Sequence, residues 1–119
     1  MVTSLGELER RHSSQPWSPA DATTWLNELA SEETLDLAIT MHAQDRLGER
    51  GLIVGDLLYL LRRGFVYDPP EQAIRAEFWK YVVEGSTPNS ESRTVRTVAI
   101  PDCVRKQIKI VTIMWKDER

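Results

Sequence analysis

The residues best equipped for chemistry are His42, Arg46 and Arg50, in the run His42-Ala43-Gln44-Asp45-Arg46-Leu47-Gly48-Glu49-Arg50. Steps of four keep them on one flank of a helix, drifting by about 40° per step, with Ala43 and Leu47 marking the buried side. An imidazole exchanges a proton near neutral pH, and a guanidinium can grip a phosphate through two parallel hydrogen bonds. Cleavage of RNA by its own 2′-hydroxyl needs only those tools: a base, an acid, and a cation to offset the charge of the pentavalent phosphorane. The same residues have a plainer use. Asp45 and Glu49 each precede an arginine and can neutralise the arginines in surface ion pairs, and a histidine opening a helix often serves a nearby backbone group.

A second set lies further along the chain. Thr112 and Lys109 fall in the last strand, on opposite faces by alternation, while Lys80 and Arg96 point outward if Trp79 and Val95 face the core. A basic strip of Lys80, Arg96 and Lys109, with Tyr81 or Trp115 beside it, would bind single-stranded RNA by charge and stacking. Packing is the preferred reading for Trp79 and Tyr81, as for most strand aromatics. Cys103 has no histidine near it in sequence, which argues against a thiol nucleophile. His12 has no catalytic partner nearby. The chain has no glycine-rich phosphate loop, Gly-x-Ser-x-Gly elbow or His-Glu-x-x-His motif. No metal and no cofactor is expected.

These side chains need elements to hold them. Residues 1–17 are polar, lack periodicity and read as a flexible leader. Ser18-Pro19-Ala20-Asp21 supplies a cap, a first-turn proline and an acid, and Ala22, Trp25, Leu26 and Leu29 follow as one apolar stripe of a helix over 18–31. Alternation from Leu35 to Met41 suggests a short strand. A helix runs from His42 to Arg50 and is closed by Gly51, and a second carries Leu57, Leu58, Leu60 and Leu61 to Arg62-Arg63-Gly64. The period then changes to two in three runs, Trp79 to Glu84, Val95 to Ala99 and Ile108 to Trp115, separated by turn-forming clusters. Phe65 to Asp68 offers a short edge strand. The expected fold is α+β, with N-terminal helices packed on an antiparallel sheet of about three to four strands.

At 119 residues with 41% apolar and 28% charged side chains, the chain has room for one core, over residues 18–119. A net charge of −3 argues against wholesale coating of nucleic acid. The charge is uneven: two basic against eight acidic residues up to Asp45, then thirteen against ten, so the second half can carry a local anion-binding face. A single cysteine excludes an internal disulfide and a thiolate-rich zinc site. Without a long apolar run or a hydrophobic signal region, no membrane contact is expected and the cytoplasm is the default location.

The order of four elements resembles domain-of-unknown-function family forty-two fifty-eight. They are His42-Ala43-x-x-Arg46-x-x-x-Arg50-Gly51, the helix ending in Leu61-Arg62-Arg63-Gly64, the strand Phe78-Trp79-Lys80-Tyr81-Val82-Val83-Glu84-Gly85, and the closing Ile110-Val111-Thr112-Ile113-Met114-Trp115. The likeness covers about 39–115 and leaves the helix from Ser18 as an addition. That family in turn looks like a distant branch of the RelE-like and BECR toxins. The resemblance implies metal-independent RNA cleavage, with His42 as acid or base, Arg46 and Arg50 on the phosphate, and Thr112 lining the site. It also implies a cognate small antitoxin-like protein as partner. The alternative is a non-catalytic RNA-binding or protein-interaction module that uses the same fold, or pairs as a homodimer through the Trp25 helix.

Overall fold

A computed structural model describes residues 4–118. The elements follow in the order α1 (Leu5–Ser13), α2 (Pro19–Ala30), β1 (Asp36–Ile39), α3 (Met41–Glu49), α4 (Val54–Arg63), β2 (Glu71–Gln72), β3 (Trp79–Gly85), β4 (Val95–Asp102) and β5 (Gln107–Trp115). The five strands form one open sheet in the order β1-β5-β4-β3-β2. The fold is α+β, with the helices toward the N-terminus and most of the sheet toward the C-terminus. Among the described residues no helix is long and apolar enough to cross a membrane.

Strand alternation sorts the sheet into two faces. Tyr81, Val83, Val95, Thr97, Ala99, Ile108, Ile110 and Ile113 are all buried. They meet Leu57, Leu60 and Leu61 of α4, Ala43 and Leu47 of α3, and Ala22, Leu26 and Leu29 of α2 in one core. The apolar stripe expected on α2 thus docks on the chain's own core. Fully burying each such aliphatic side chain contributes roughly 1.5–3 kcal/mol. The opposite face carries Lys80, Val82 and Glu84 of β3, Arg96, Val98 and Ile100 of β4, and Lys109 and Thr112 of β5, as their strand registers require.

The helix ends follow local chemistry. Ser18 Oγ accepts from the Asp21 N–H at 3.2 Å, and Thr40 Oγ1 accepts from the Ala43 N–H at 3.1 Å. Gly51 takes the left-handed conformation, φ +66°, that closes α3. Gly64 has a different reason for being glycine. A Cβ there would stand 2.5 Å from the Leu60 carbonyl oxygen and 2.8 Å from Val83 Cγ1, because the end of α4 presses onto β3. Asp56 anchors the start of α4, accepting from the Ile53 N–H at 2.9 Å. It also accepts from the Asn89 N–H at 3.0 Å and Asn89 Nδ2 at 3.1 Å, which ties the β3–β4 turn to that helix. Burial alone would raise its pKa, yet these hydrogen bonds hold the carboxyl below the usual range.

Three expectations need correction. The flexible leader, where it is described, is helix α1, and its Leu8 and the following Trp17 lie in the core; residues 1–3 lie outside the described part. Trp17 stacks on Tyr81 at 5.3 Å, and its backbone N–H donates to Tyr81 Oη at 3.0 Å. The sheet has five strands and is mixed, since β1 joins β5 in parallel, Leu37 beside Ile108 and Ile39 beside Ile110. Finally, Phe65 to Asp68 is no strand. Phe65 makes a single bridge to Glu84, and the edge is β2, paired to Trp79 and Lys80.

Candidate functional site

The site grows from the point where β1 ends. Ile39 is the last residue paired to β5, and Thr40 then turns the chain into α3. The Thr40 N–H donates to the Ile110 carbonyl at 3.2 Å, and its hydroxyl donates to the Val111 carbonyl at 3.1 Å. The first turn of α3 therefore stands beside the middle of β5. A β-bulge sits at that height: Val98 faces Thr112 but Ala99 faces Ile110, so Val111 is the extra residue.

The bulge decides which side chains share a face. Thr112 lies opposite Val98 and Lys109 opposite Ile100, and Val98 and Ile100 are two apart on one strand. Thr112 and Lys109 consequently share the open face, where simple alternation had separated them. His42 reaches over from α3 to the same place. Its Nε2 and Thr112 Oγ1 are 3.1 Å apart, with the hydroxyl donating to a neutral ring or the ring N–H donating to the hydroxyl. These two residues are 70 positions apart in the chain.

The arginines of α3 part company. Arg46, one turn after His42, is partly exposed and donates to Glu49 at 2.9 Å. Arg50 is committed elsewhere. Its side chain is 9% exposed, its Nε donates to Glu118 Oε1 at 2.9 Å, and it also pairs with Glu49 and the Arg46 carbonyl. Hydrogen bonds from Arg50 and from the Trp115 N–H hold the Glu118 carboxyl below its usual range. Arg50 thus ties the C-terminal turn to α3.

Across the face, Arg96 stands directly opposite Glu84 and next along β4 to Val98 by alternation. Its Nε donates to Glu84 Oε2 at 2.9 Å, and Lys116 Nζ donates to Glu84 Oε1 at 2.9 Å. Burial works against ionising Glu84, but the bonds from Lys116 and Arg96 prevail and lower its pKa. Two cations on one carboxylate leave a net positive charge at that end.

Lys80 and Lys109 line a cleft of about 320 Å³ on the other side of Thr112, together with Thr40, Phe78, Ile100 and Asp102. Arg75 and Arg105 add two more cations to its wall. Sequence reading missed these two, along with Phe78 and the exposed Ile74, because the cleft depends on how residues 73–78 fold back beside the sheet. Lys80 pairs loosely with Glu71 at 3.8 Å. His12, expected to be idle, packs edge-on against Phe78 at 5.5 Å and so supports that wall.

Cys103 is buried, and desolvation followed by the nearby Asp102 charge pushes its thiol up to about 12, which leaves no thiolate nucleophile. Tyr81 is also pushed up to about 12 by burial, so its hydroxyl stays protonated and donates to Gln15 Oε1 at 3.1 Å. Among the described residues no three histidine, cysteine or acidic side chains gather closely enough to hold a metal ion. Trp25 is half-buried and lies under the Arg11 guanidinium, 4.0 Å from its ring centroid, so α1 covers part of the surface considered for a homodimer.

Fold and site together define an α+β protein whose sheet is covered by helices on one face and presents a histidine–threonine pair and a basic cleft on the other. The chain belongs to the family described as Domain of unknown function (DUF4258), which it matches over residues 39–115. No curated protein and no solved structure matches it significantly. The family match begins at the last residue of β1 and ends with β5, so it contains His42, Thr112 and the cleft, while α1 and α2 precede it.

Proposed function

We propose that this protein is a metal-independent endoribonuclease of the toxin type, acting in the cytoplasm and restrained by a cognate small antitoxin-like protein. The single observation that carries the reading is the hydrogen bond between His42 and Thr112 on an open sheet face, next to a cationic cleft. The distant resemblance of its family to RelE-like and BECR toxins, read from the sequence motifs, supports it further.

In this reading His42 takes the proton of a ribose 2′-hydroxyl. The freed oxygen attacks the adjacent phosphorus, the bond from phosphorus to O5′ breaks, and the proton is delivered to the departing O5′ by the imidazolium or by water. The products are a 2′,3′-cyclic phosphate and a 5′-hydroxyl. Thr112 holds the imidazole in one orientation, as partners of catalytic histidines do. Arg46 sits on the flank of His42 and offsets the charge on the phosphorane. Arg50 serves by fixing the end of α3. Lys80, Arg96 and Lys109 hold the neighbouring RNA backbone.

A second reading has its own observation. Glu49 neutralises Arg46, and Glu49 with Glu118 neutralises Arg50, which suits a non-catalytic RNA-binding or interaction module. One experiment separates the two. The full chain is incubated with labelled single-stranded RNA in the presence of a chelator, and the fragment ends are analysed. The ribonuclease reading expects 2′,3′-cyclic phosphate ends and a rate about a hundredfold lower, or less still, in His42→Ala. Intact RNA with the wild type, or equal cleavage by His42→Ala, would overturn it.

A further inference from the structure

The cleft beside Thr112 has features that backbone neutralisation alone does not explain. One wall is apolar: Ile100 projects from β4, and Phe78 and Ile74 come from residues 73–78. Ile74 is fully exposed. An isoleucine in that position contributes nothing to the core, so its side chain is available to cover another apolar surface. The Arg75 guanidinium, paired with Glu77 at 2.9 Å, sits 4.9 Å from the centroid of the Phe78 ring, which gives the wall a flat rim. The other wall is charged. Lys109 is exposed, and among the described residues neither it nor Arg105 takes part in an ion pair. The acid in the cleft is Asp102, and one of its oxygens already accepts from the Arg105 N–H at 3.2 Å.

A ligand suited to this cleft has one flat apolar face and one anionic group a few ångströms away. A nucleotide has both. Thr112 and Lys109 stand opposite Val98 and Ile100, two residues apart on β4, so they are separated by roughly 7 Å at about 3.3 Å per residue. That distance places the cleft where the nucleotide next to a phosphate held at His42 would lie. The bulge at Val111 is what keeps the two positions on one face. We infer that the cleft is a subsite for a single unpaired nucleotide flanking the cleaved bond, its base against Ile74, Phe78 and Ile100 and its phosphate on Lys109. This rests on the ribonuclease reading for the neighbouring phosphate, but the subsite's own binding is measurable without cleavage.

The test uses the full chain carrying His42→Ala, so that RNA survives titration. Binding of a fluorescein-labelled single-stranded RNA hexamer is compared with that of a labelled ribose 5-phosphate, which carries a phosphate but no base, by fluorescence anisotropy. Because one stacked base contributes about 1–3 kcal/mol, the hexamer binds about tenfold tighter or more. Adding Ile74→Ser or Lys109→Gln brings that ratio down to about threefold or less, with an unchanged melting temperature because both side chains are exposed. A ratio that survives both substitutions overturns the subsite, as does the absence of RNA binding altogether, the outcome expected if the cleft takes a protein segment. Preferential binding of the hexamer that falls in both variants, in a protein whose wild type fails to cleave RNA, upholds the subsite and removes only the ribonuclease reading.

Discussion

The two faces of strands β3 to β5 are built from alternate residues of the same three segments, yet they follow different rules. On the inner face every side chain from Tyr81 to Ile113 is buried against helices, and polar atoms there are satisfied, as when Thr97 Oγ1 donates to the Thr112 carbonyl at 2.9 Å. On the outer face, charged and apolar residues alternate down the sheet, most of them half-buried. The inner face specifies the fold, and the outer one is free to carry chemistry because little of the core depends on it. Where the outer face does hold the structure together, it does so through charge: Glu84 is 7% exposed and joins β3, β4 and the residue after β5 through Arg96 and Lys116.

The contrast can be tested in order of size. Ile110→Ala removes a fully buried side chain at the centre of the sheet and should cost about 3–4 kcal/mol, seen as a lower denaturant midpoint with an unchanged slope. A loss well under about 1 kcal/mol would mean that the inner face is not packed as described.

Glu84→Gln should cost about 1–2 kcal/mol at neutral pH, because its cationic partners remain partly solvated. The sign with pH follows from the lowered pKa of Glu84. A carboxylate whose pKa is depressed by folding stabilises the protein fully above its unfolded value, near 4.5, and that contribution fades as pH falls through the lower folded value. The stability gap between wild type and Glu84→Gln should therefore be full at pH 7 and close as the pH falls from about 4.5 through the lower folded value. A gap that widens in acid would contradict the clamp.

Much of this arrangement was legible in the residues. Alternation placed the three long strands, since each has one face that must be buried. His42, Ala43 and Leu47 were enough to orient α3 and Gly51 marked its end, whereas Thr40, which caps the helix, read as part of the preceding strand. Helix α1 was missed although Ser4 and Glu7 have the spacing of a capping box, and Ser4 Oγ does accept from the Glu7 N–H at 3.3 Å. Its apolar content is thin, and its stability comes from Leu8 and from Trp17 stacked on Tyr81, a contact made 64 residues away.

The site was half legible. His42 and Arg46 stood out by spacing, but the role of Arg50 depends on Glu118, 68 residues further on. The bulge at Val111 left no local signal. It turns Thr112 toward His42 and puts Lys109 on the same face, a result that strict alternation denies.

The most direct test of the account is a double-mutant cycle on His42 and Thr112, read as kcat/KM for a short RNA. Thr112→Val should leave stability within about 0.5 kcal/mol, since its hydroxyl bond lies on the outer face. It should lower activity about tenfold by freeing the imidazole, while His42→Ala lowers it a hundredfold or more, by rough analogy with other general bases. Because Thr112 acts through His42, the double variant should be no slower than His42→Ala alone. Losses that multiply would show that Thr112 and His42 work independently, and would contradict the pairing on which the site is built.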